Sequence, residues 1–483
     1  MTSPTTYKMI FSLEKFREKF PGAVPFILTI CYLERYAAVS IIAILVLYLN
    51  RKLNIDPSAS TAILHVNDFL VYFFTIVGGI VGDSWWGAFK TICWMLLVYA
   101  AGIAIVAVGA IESLNVSALA LTCIGLITIT VGSGGVRPNM NALSGIQYKL
   151  PDQAEQLNFF FSIQYFMMKF GAMTACFVAP ILHADVKCFG MDDCYPLAFG
   201  VPAIVMLISF IIFLCGSSLY VTKPASGNML VKVIGCIFHA LGERLRHGRN
   251  ESIHHWLDYS IVKYGQILVN ETKVVLNILI LFIPLPIYWS GILLQNSRWV
   301  FQASKMNGDI GWFVIKPDQM LAFNSALSLI LFPLCEYVLY PLLAKIGVKS
   351  LLHRITFGGI ISAIALGISA VIETQIEKHF LNILWLIPQY FFMVISENFV
   401  YIATVNFAYN EAPSNMKSVM TSFVFVTIAG GNLLIALVTG TKVFSALLYE
   451  SLFFTILVFV DMICFWFIAR RYNTQTNRNM SVL

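Results

Sequence analysis

The chain has 483 residues, of which 58% are hydrophobic and 14% aromatic, and only 12% are charged. That charged fraction is about half of the roughly 25% typical of a soluble domain, which excludes an ordinary soluble protein and a disordered one. The net charge of +6 is small and spread along the chain, which argues against nucleic-acid binding. The composition therefore predicts an integral membrane protein with many spans.

Apolar runs long enough to cross about 30 Å of hydrocarbon recur along the whole chain. Because lipid cannot satisfy backbone hydrogen bonds, we expect these runs to be helices. Twelve runs are predicted, at 23–49, 62–81, 91–111, 118–136, 159–182, 197–221, 274–294, 321–346, 355–372, 380–400, 419–437 and 443–469.

The longest polar stretch separates the first six runs from the last six. It predicts an N-terminal six-helix bundle at 1–221, a cytosolic linker with surface helices at 222–273, and a C-terminal six-helix bundle with a short cytosolic tail at 274–483. This all-α layout of twelve transmembrane helices is typical of the major facilitator fold. A twelve-span channel or a membrane enzyme would have the same helix count, so the count alone leaves these classes open.

Most of the 31 lysine and arginine residues fall in loops on the side of the two chain ends. The positive-inside rule then places both termini in the cytosol, and we predict a multi-pass protein of the plasma membrane. Cys188 and Cys194 share a polar loop that would face outward, where a disulfide persists, so they are disulfide candidates. The cysteine spacing matches no metal or haem site, and no cofactor apart from protons is predicted.

Ionisable side chains inside predicted spans are costly and therefore mark candidate functional sites. The candidates are Glu34, Arg35, His65, Asp68, Arg137 and Lys169 in the first half, and Glu336, Glu397 and Asp461 in the second half. The arginine and lysine candidates all belong to the first half, so a cavity between the halves would have walls of opposite charge and suit a zwitterion. The alternative is that these groups pair with each other and only hold the bundle together.

Two spacings place candidate groups on one helix face. His65 and Asp68 are three residues apart, which predicts a pair in which the histidine is a proton carrier. Tyr165 and Lys169 are four residues apart and share a face of the fifth span.

Several sequence blocks resemble, in order and over almost the whole chain, the proton-dependent oligopeptide transporter family, in its animal-type members. The blocks include LERYAAVSIIAILVLY, STAILH, GGIVGDSWWGAFKTI, GSGGVRPNMNALSGIQY, FFSIQYFMMKFG and ISENFVYIATVNFAYNEAP. The large insert that animal members carry between the ninth and tenth helices is missing here. The resemblance implies the major facilitator fold and a transporter rather than an enzyme.

The resemblance also implies roles for individual residues. The proton-coupling group would comprise His65, Glu34, Arg35 and Arg137, to which the position of Asp68 inside a span adds a further candidate. Substrate contacts would come from Tyr165, Trp289, Asn324 and Glu397, with Glu397 binding the peptide amine, and Glu336 would be a gate residue.

Some family positions carry a different residue in this chain. Charge is lost at Cys31, Ile42, Asn277 and Leu293, and the family's asparagine of the fifth helix is replaced by Lys169. We expect Lys169 to grip the substrate carboxylate in place of the arginine lost at Ile42, and Asp68 to help replace the lost proton-coupling carboxylates. The alternative is that Lys169 and Asp68 pair across the bundle and compensate each other.

The sequence predicts a secondary active transporter that carries di- and tripeptides together with protons by alternating access. Its partners would be small peptides or related zwitterionic solutes, protons and the lipid bilayer, and not nucleic acid. Two alternatives stay open: a diverged family member that carries another small organic solute or is uncoupled from protons, and a non-transporting sensor.

Overall fold

The computed structural model describes residues 20–480 except 115–116, 150–151, 226, 228, 248–254, 346–349, 414–415 and 445. These residues are almost entirely helical, and no β-strand occurs among them beyond three isolated bridges in loops. The helices are Val24–Arg51 (α1), Pro57–Val81 (α2), Ala88–Gly109 (α3), Ala118–Gly145 (α4), Ala154–Ala184 (α5), Tyr195–Cys215 (α6), Met229–His247 (α7), Ile261–Tyr264 (α8), Gln266–Leu279 (α9), Leu285–Leu293 (α10), Arg298–Ala303 (α11), Met320–Leu334 (α12), Tyr340–Lys345 (α13), Leu351–Ile376 (α14), Ile387–Glu411 (α15), Lys417–Gly440 (α16) and Leu447–Met480 (α17).

The described helices account for the predicted membrane spans. Ten are long and apolar enough to cross a membrane, and a pair bent by 47°, Gln266–Phe282 with Leu285–Ala303, supplies an eleventh. The bend lies beside Pro284 and Pro286, because a proline lacks the N–H that would continue a helix. The run predicted at 321–346 corresponds to α12 and α13, which a π-helical turn at Cys335–Leu339 connects. The chain is therefore an all-α multi-pass membrane protein, as predicted.

The segment predicted as a linker contains regular helices. Helix α7 buries its apolar face, including Val233, Cys236 and Ala240. Helix α9 already begins at Gln266, inside the predicted linker, because its first turns carry polar residues that a hydropathy pattern excludes.

Buried apolar side chains form two large clusters. One is built almost entirely from α1–α6, and the other from α9–α17 with a contribution from α7. This arrangement agrees with two bundles of six helices. The boundaries at 221 and 274 stay predictions.

Glycines allow α4 to lie directly against its neighbours. A Cβ atom on Gly78 of α2 would come 2.3 Å from the carbonyl oxygen of Gly134, and one on Gly132 would come 2.5 Å from the amide nitrogen of Tyr99 in α3. Small residues at such positions let helix backbones approach closely in a membrane. This contact fixes where α4 presents Arg137, one turn beyond Gly134.

Polar contacts join the two halves at the distal end, which we define by the loops at 52–56, 185–194, 304–316 and 441–444. The contacts are Lys316 Nζ with Asp185 Oδ2 at 2.7 Å, His183 Nε2 with Asp318 Oδ2 at 2.8 Å, Lys442 Nζ with Asp56 Oδ2 at 3.0 Å, and Arg298 Nη2 with Ser58 Oγ at 3.3 Å. Cys188 and Cys194 are bonded as a disulfide in the same region. The halves are thus held together at the distal end.

Gly78→Ala is expected to destabilise the protein, because the new methyl group needs space that the Gly134 carbonyl oxygen occupies. Forcing a methyl group into a packed contact costs about 1–3 kcal/mol, which lowers the unfolding temperature of the purified protein. Gly145→Ala is the control, since no atom lies within 4 Å of its Cβ position. Equal unfolding temperatures for the two variants would contradict the close contact of α2 with α4.

Asp56→Ala is expected to cost about 1 kcal/mol at neutral pH, because the Asp56 carboxylate caps α2 through the backbone amides of Ser58 and Ala59 at 3.0 and 3.1 Å. The hydrogen bond from Lys442, with these amides, holds the pKa of Asp56 below its usual value of 3.8. A carboxyl whose pKa is lower in the folded state stabilises the protein above the unfolded pKa, and this stabilisation disappears as the pH falls through the folded pKa.

The measurement for this second variant is the unfolding temperature as a function of pH. Asp56→Asn is the matched control, because asparagine keeps a capping oxygen and loses only the exposed ion pair. A difference between wild type and Asp56→Ala that persisted unchanged into strong acid would contradict the assigned role of the carboxylate.

Candidate functional site

A cavity of about 360 Å³ lies between the two halves. Helices α1 to α5 line one wall, with Tyr99 the contribution of α3, and α12, α15, α16 and the segment 293–296 line the other. The lining is mostly apolar and aromatic, as in sites for small organic molecules. Its described charged residues are Glu34, Arg35, Asp68, Arg137, Lys169 and Glu397.

Glu34 and Arg137 form an ion pair between α1 and α4. The Nε atom of Arg137 lies 3.0 Å from Oε1 of Glu34, and the glutamate is 6% exposed. Both residues were predicted as proton-coupling candidates, and the structure brings them together. A proton on Glu34 would remove the charge that holds Arg137, so protonation and release of the arginine are linked.

Lys169 and Glu397 form a second ion pair, and it joins the halves. The Nζ atom of Lys169 in α5 lies 2.9 Å from Oε1 of Glu397 in α15, and it also sits 5.7 Å from the ring centre of Tyr165. The predicted alternative of a pair between Lys169 and Asp68 is wrong, because the lysine reaches a carboxylate of the facing half instead.

Arg35 and Asp68 lie on the cavity wall outside these two pairs. The Nη2 atom of Arg35 contacts the Met168 sulfur at 3.7 Å, a weak interaction, and its buried Nε atom has no hydrogen-bond partner among the described residues. Asp68 is 7% exposed and forms no ion pair with any residue that the structure describes. The Arg35 and Asp68 side chains therefore stand outside the two ion pairs of the cavity.

His65 joins the two halves from inside the bundle. It is fully buried, with Nδ1 2.8 Å from Oδ1 of Asn432 and Nε2 2.9 Å from Oγ of Ser297. The amide nitrogen of Asn432 donates to the backbone oxygen of Ile428, so its oxygen faces the histidine and Nδ1 is the donor. The predicted pair of His65 with Asp68 is wrong, since both ring nitrogens have other partners and the histidine does not line the cavity.

The remaining predicted substrate contacts divide between the wall and the interior. Tyr165 and Asn324 line the cavity, and the Asn324 amide donates to Oε1 of Gln295 at 2.7 Å. Trp289 is 4% exposed, its indole N–H donates to Thr427 at 2.9 Å, and it is not among the lining residues, so its substrate contact stays a prediction. The side chain of Glu336 lies outside the described residues.

A buried ion pair that the sequence analysis missed lies near the distal end. Arg298 donates to Glu450 through Nε at 2.7 Å and Nη2 at 2.6 Å, and both side chains are less than a tenth exposed. The sequence did indicate this site, because Glu450 is a carboxylate inside the predicted run 443–469. Gln295 was also missed, although it follows the seventh predicted run directly.

Positions that depart from the family pattern also shape the wall. Cys31, Ile42 and Leu293 line the cavity, so three charges implied by the resemblance are replaced there by a small thiol and two apolar side chains. Asn277 belongs to α9 and is not among the lining residues.

Known proteins resemble this chain in sequence and in fold. A family model described as "POT family" matches residues 89–447. "Peptide transporter family 1" of Drosophila melanogaster is 40% identical over 359 residues, which cover 74% of this chain and 48% of the relative. "Solute carrier family 15 member 2" of Rattus norvegicus is 38% identical over 367 residues, covering 75% of this chain and 50% of the relative. The chain thus spans about half the length of these curated relatives.

Solved structures share the fold at lower identity. The crystal structure of the POT family transporter PepTSo superposes with a TM-score of 0.80 at 24% identity, covering 95% of this chain and 99% of that one. The family match covers most of this chain and includes the helices that carry Arg137, Tyr165, Asn324 and Glu397. The chain belongs to the POT family, the proton-dependent oligopeptide transporters, which is a family of transporters and not of enzymes.

Proposed function

We propose that this protein moves di- and tripeptides into the cell together with protons, by alternating access between its two halves. The observation that carries the proposal is the cavity between the halves, whose wall holds charges of both signs. A short peptide is a zwitterion at neutral pH, so it needs a carboxylate for its ammonium group and a cation for its carboxylate. The names of the curated relatives support the same substrate class.

The contacts at the distal end fit one state of such a cycle. Hydrogen bonds and ion pairs close the space between the halves there, so substrate from that side must separate them. The pair of Lys442 with Asp56 is exposed, and an exposed pair is worth only about 0–1 kcal/mol in water, so its separation opposes the cycle little. We infer that the distal end faces the outside of the plasma membrane and that both chain ends are cytosolic, with Glu336 as a further gate residue.

We assign proton coupling to His65 and to the pair of Glu34 with Arg137, with Arg35 and Asp68 as neighbouring charges. In the neutral histidine Nε2 accepts from the Ser297 hydroxyl, while a proton on Nε2 turns both ring nitrogens into donors. Both partners of His65 belong to the second half, so its protonation alters a contact between the halves. Protonation of Glu34 acts in the same way on Arg137 within the first half.

Uptake of a labelled dipeptide is expected to rise when the outside pH is lowered from about 7.5 to about 6, because a larger inward proton gradient drives a proton-coupled carrier harder. His65→Gln, which keeps two polar atoms but cannot carry the proton, is expected to abolish the rise. His379→Gln, at an exposed distal-end histidine, is the control. Uptake that is insensitive to pH in vesicles with confirmed surface protein would refute proton coupling, while leaving peptide transport itself open to measurement.

Glu34→Gln is expected to reduce dipeptide uptake at least about tenfold, because Arg137 loses the carboxylate that compensates its charge in a largely buried site. Surface expression and unfolding temperature separate this effect from loss of the protein. Glu377→Gln, at an exposed glutamate of the distal end, should transport like the wild type. A normal uptake rate for Glu34→Gln would remove the ion pair from the mechanism.

A further inference from the structure

Helix α7 exposes a stripe of large apolar side chains. The members of this outer stripe lie three or four residues apart, at Val231, Ile234, Phe238, Leu241 and Leu245. Phe238 is 70% exposed and Leu245 is 86% exposed. Successive residues of a helix are about 100° apart, so the five side chains fall within about 80° of the helix circumference. A continuous apolar stripe of this kind, about 21 Å long, indicates a surface that another apolar body covers.

The opposite face of α7 is fixed against the protein. Val233, Cys236 and Ala240 are fully buried. The hydroxyl of Ser260 donates to the backbone oxygen of Cys236 at 2.8 Å, and Cys236 and Ala240 share a buried cluster with Val269. The helix therefore cannot turn its outer stripe inward without losing these contacts.

Helix α7 lies beside the beginning of a membrane span. Val269, with which its buried face is clustered, belongs to α9, the first part of the bent span Gln266–Phe282 with Leu285–Ala303. Helix α7 itself carries four charged residues among its 19 and is too polar to cross the membrane. A charged helix with an apolar stripe at this place is typical of a helix that lies in the membrane–water interface.

Arginines border the outer stripe at its C-terminal end. Arg244 and Arg246 flank Leu245 in the sequence, each about 100° from it around the helix, and both are exposed. Arg246 lies 3.7 Å from Glu243, but its side chain is 78% exposed, so this contact compensates little of its charge. Lys232 is exposed near the other end of the stripe. The helix therefore presents net positive charge beside its apolar stripe.

We propose that the outer stripe of α7 inserts into the bilayer and that Arg244 and Arg246 bind the headgroups of anionic phospholipids there. The partner is a lipid surface and not another protein, because apolar side chains and flanking cations occur together beside a membrane span. With both chain ends placed in the cytosol, this surface is the cytosolic leaflet, which carries the anionic lipids. The inference goes beyond the proposed function, since it does not depend on the solute that the protein carries.

The test places a fluorophore on the outer stripe of the full-length protein and measures what quenches it. Phe238→Cys is labelled, and Leu241→Cys is a second position on the same stripe if the first variant does not fold. The exposed native cysteines are replaced by serine: Cys123, Cys215 and Cys464. In vesicles of phosphatidylcholine with about 20% phosphatidylserine in both leaflets, nitroxide-bearing lipids are expected to quench the label at least about threefold more than acrylamide in the water. A label at Glu377→Cys, an exposed distal-end position, is the control that acrylamide should quench more.

A second arm compares nitroxide-bearing phosphatidylserine with nitroxide-bearing phosphatidylcholine at the same label. Each basic residue near an anionic surface strengthens binding about fivefold, so the serine lipid is expected to quench at least about threefold more. Arg244→Gln with Arg246→Gln should bring this ratio close to one while quenching by lipid persists. Lys187→Gln with Lys378→Gln removes the same charge from exposed distal-end residues and should keep the ratio.

Four results would overturn the proposal. Stronger quenching by acrylamide than by lipid would place the outer stripe in water, and protection from both quenchers would mean that protein covers it. A ratio near one in the protein with both arginines would exclude a preference for anionic lipids. A high ratio that survives in the double arginine variant would remove Arg244 and Arg246 from the lipid contact. Failure of dipeptide uptake would contradict the proposed function alone, because quenching is measured without transport.

Discussion

A charge inside the hydrocarbon region persists only when another charge or dipole compensates it, and this constraint organises the interior of the protein. Glu34 is compensated by Arg137 inside the first half, and Arg298 by Glu450 inside the second. The pair of Lys169 with Glu397 crosses between the halves, so compensation of charge and contact between the halves depend on the same atoms. When one half moves against the other, Lys169 and Glu397 must therefore form new contacts.

His65 also needs polar partners from the other half, although it carries no formal charge in its neutral form. Its ring lies among helices of both halves, where an unsatisfied polar atom would cost free energy, and an amide and a hydroxyl satisfy it. A proton added to this ring changes which neighbour donates. The histidine is thus placed to connect protonation with the arrangement of helices, while it stays out of the cavity that a solute would fill.

The fold could be predicted well from the sequence, because the length of an apolar run is a direct consequence of bilayer thickness. The charged wall of the cavity was also predicted in outline, since all six of its charged residues were candidates at or inside the predicted spans, and Glu34 and Arg137 do meet. The early start of α9 at Gln266 was missed, because hydropathy averages over polar first turns.

The pairing of these residues could not be predicted, because partner choice depends on how helices rotate against each other. The spacing of His65 and Asp68 correctly indicates a shared stripe of α2, yet the partner of His65 is Asn432, 367 residues away in sequence. The partner of Trp289 could not be predicted either, since its indole N–H donates to Thr427 of the second half. Such contacts are set by the packed bundle and leave no trace in local spacing.

Lys169 on α5 also affects which solutes can bind at Glu397. A cation attached to the protein meets Glu397 at an effective concentration in the millimolar range or above, whatever the composition of the solution. A dissolved amine competes with it only by exceeding that concentration or by binding with extra contacts. Exchange of this single side chain would therefore alter which solutes can use the carboxylate, without any change in the cavity's framework of helices.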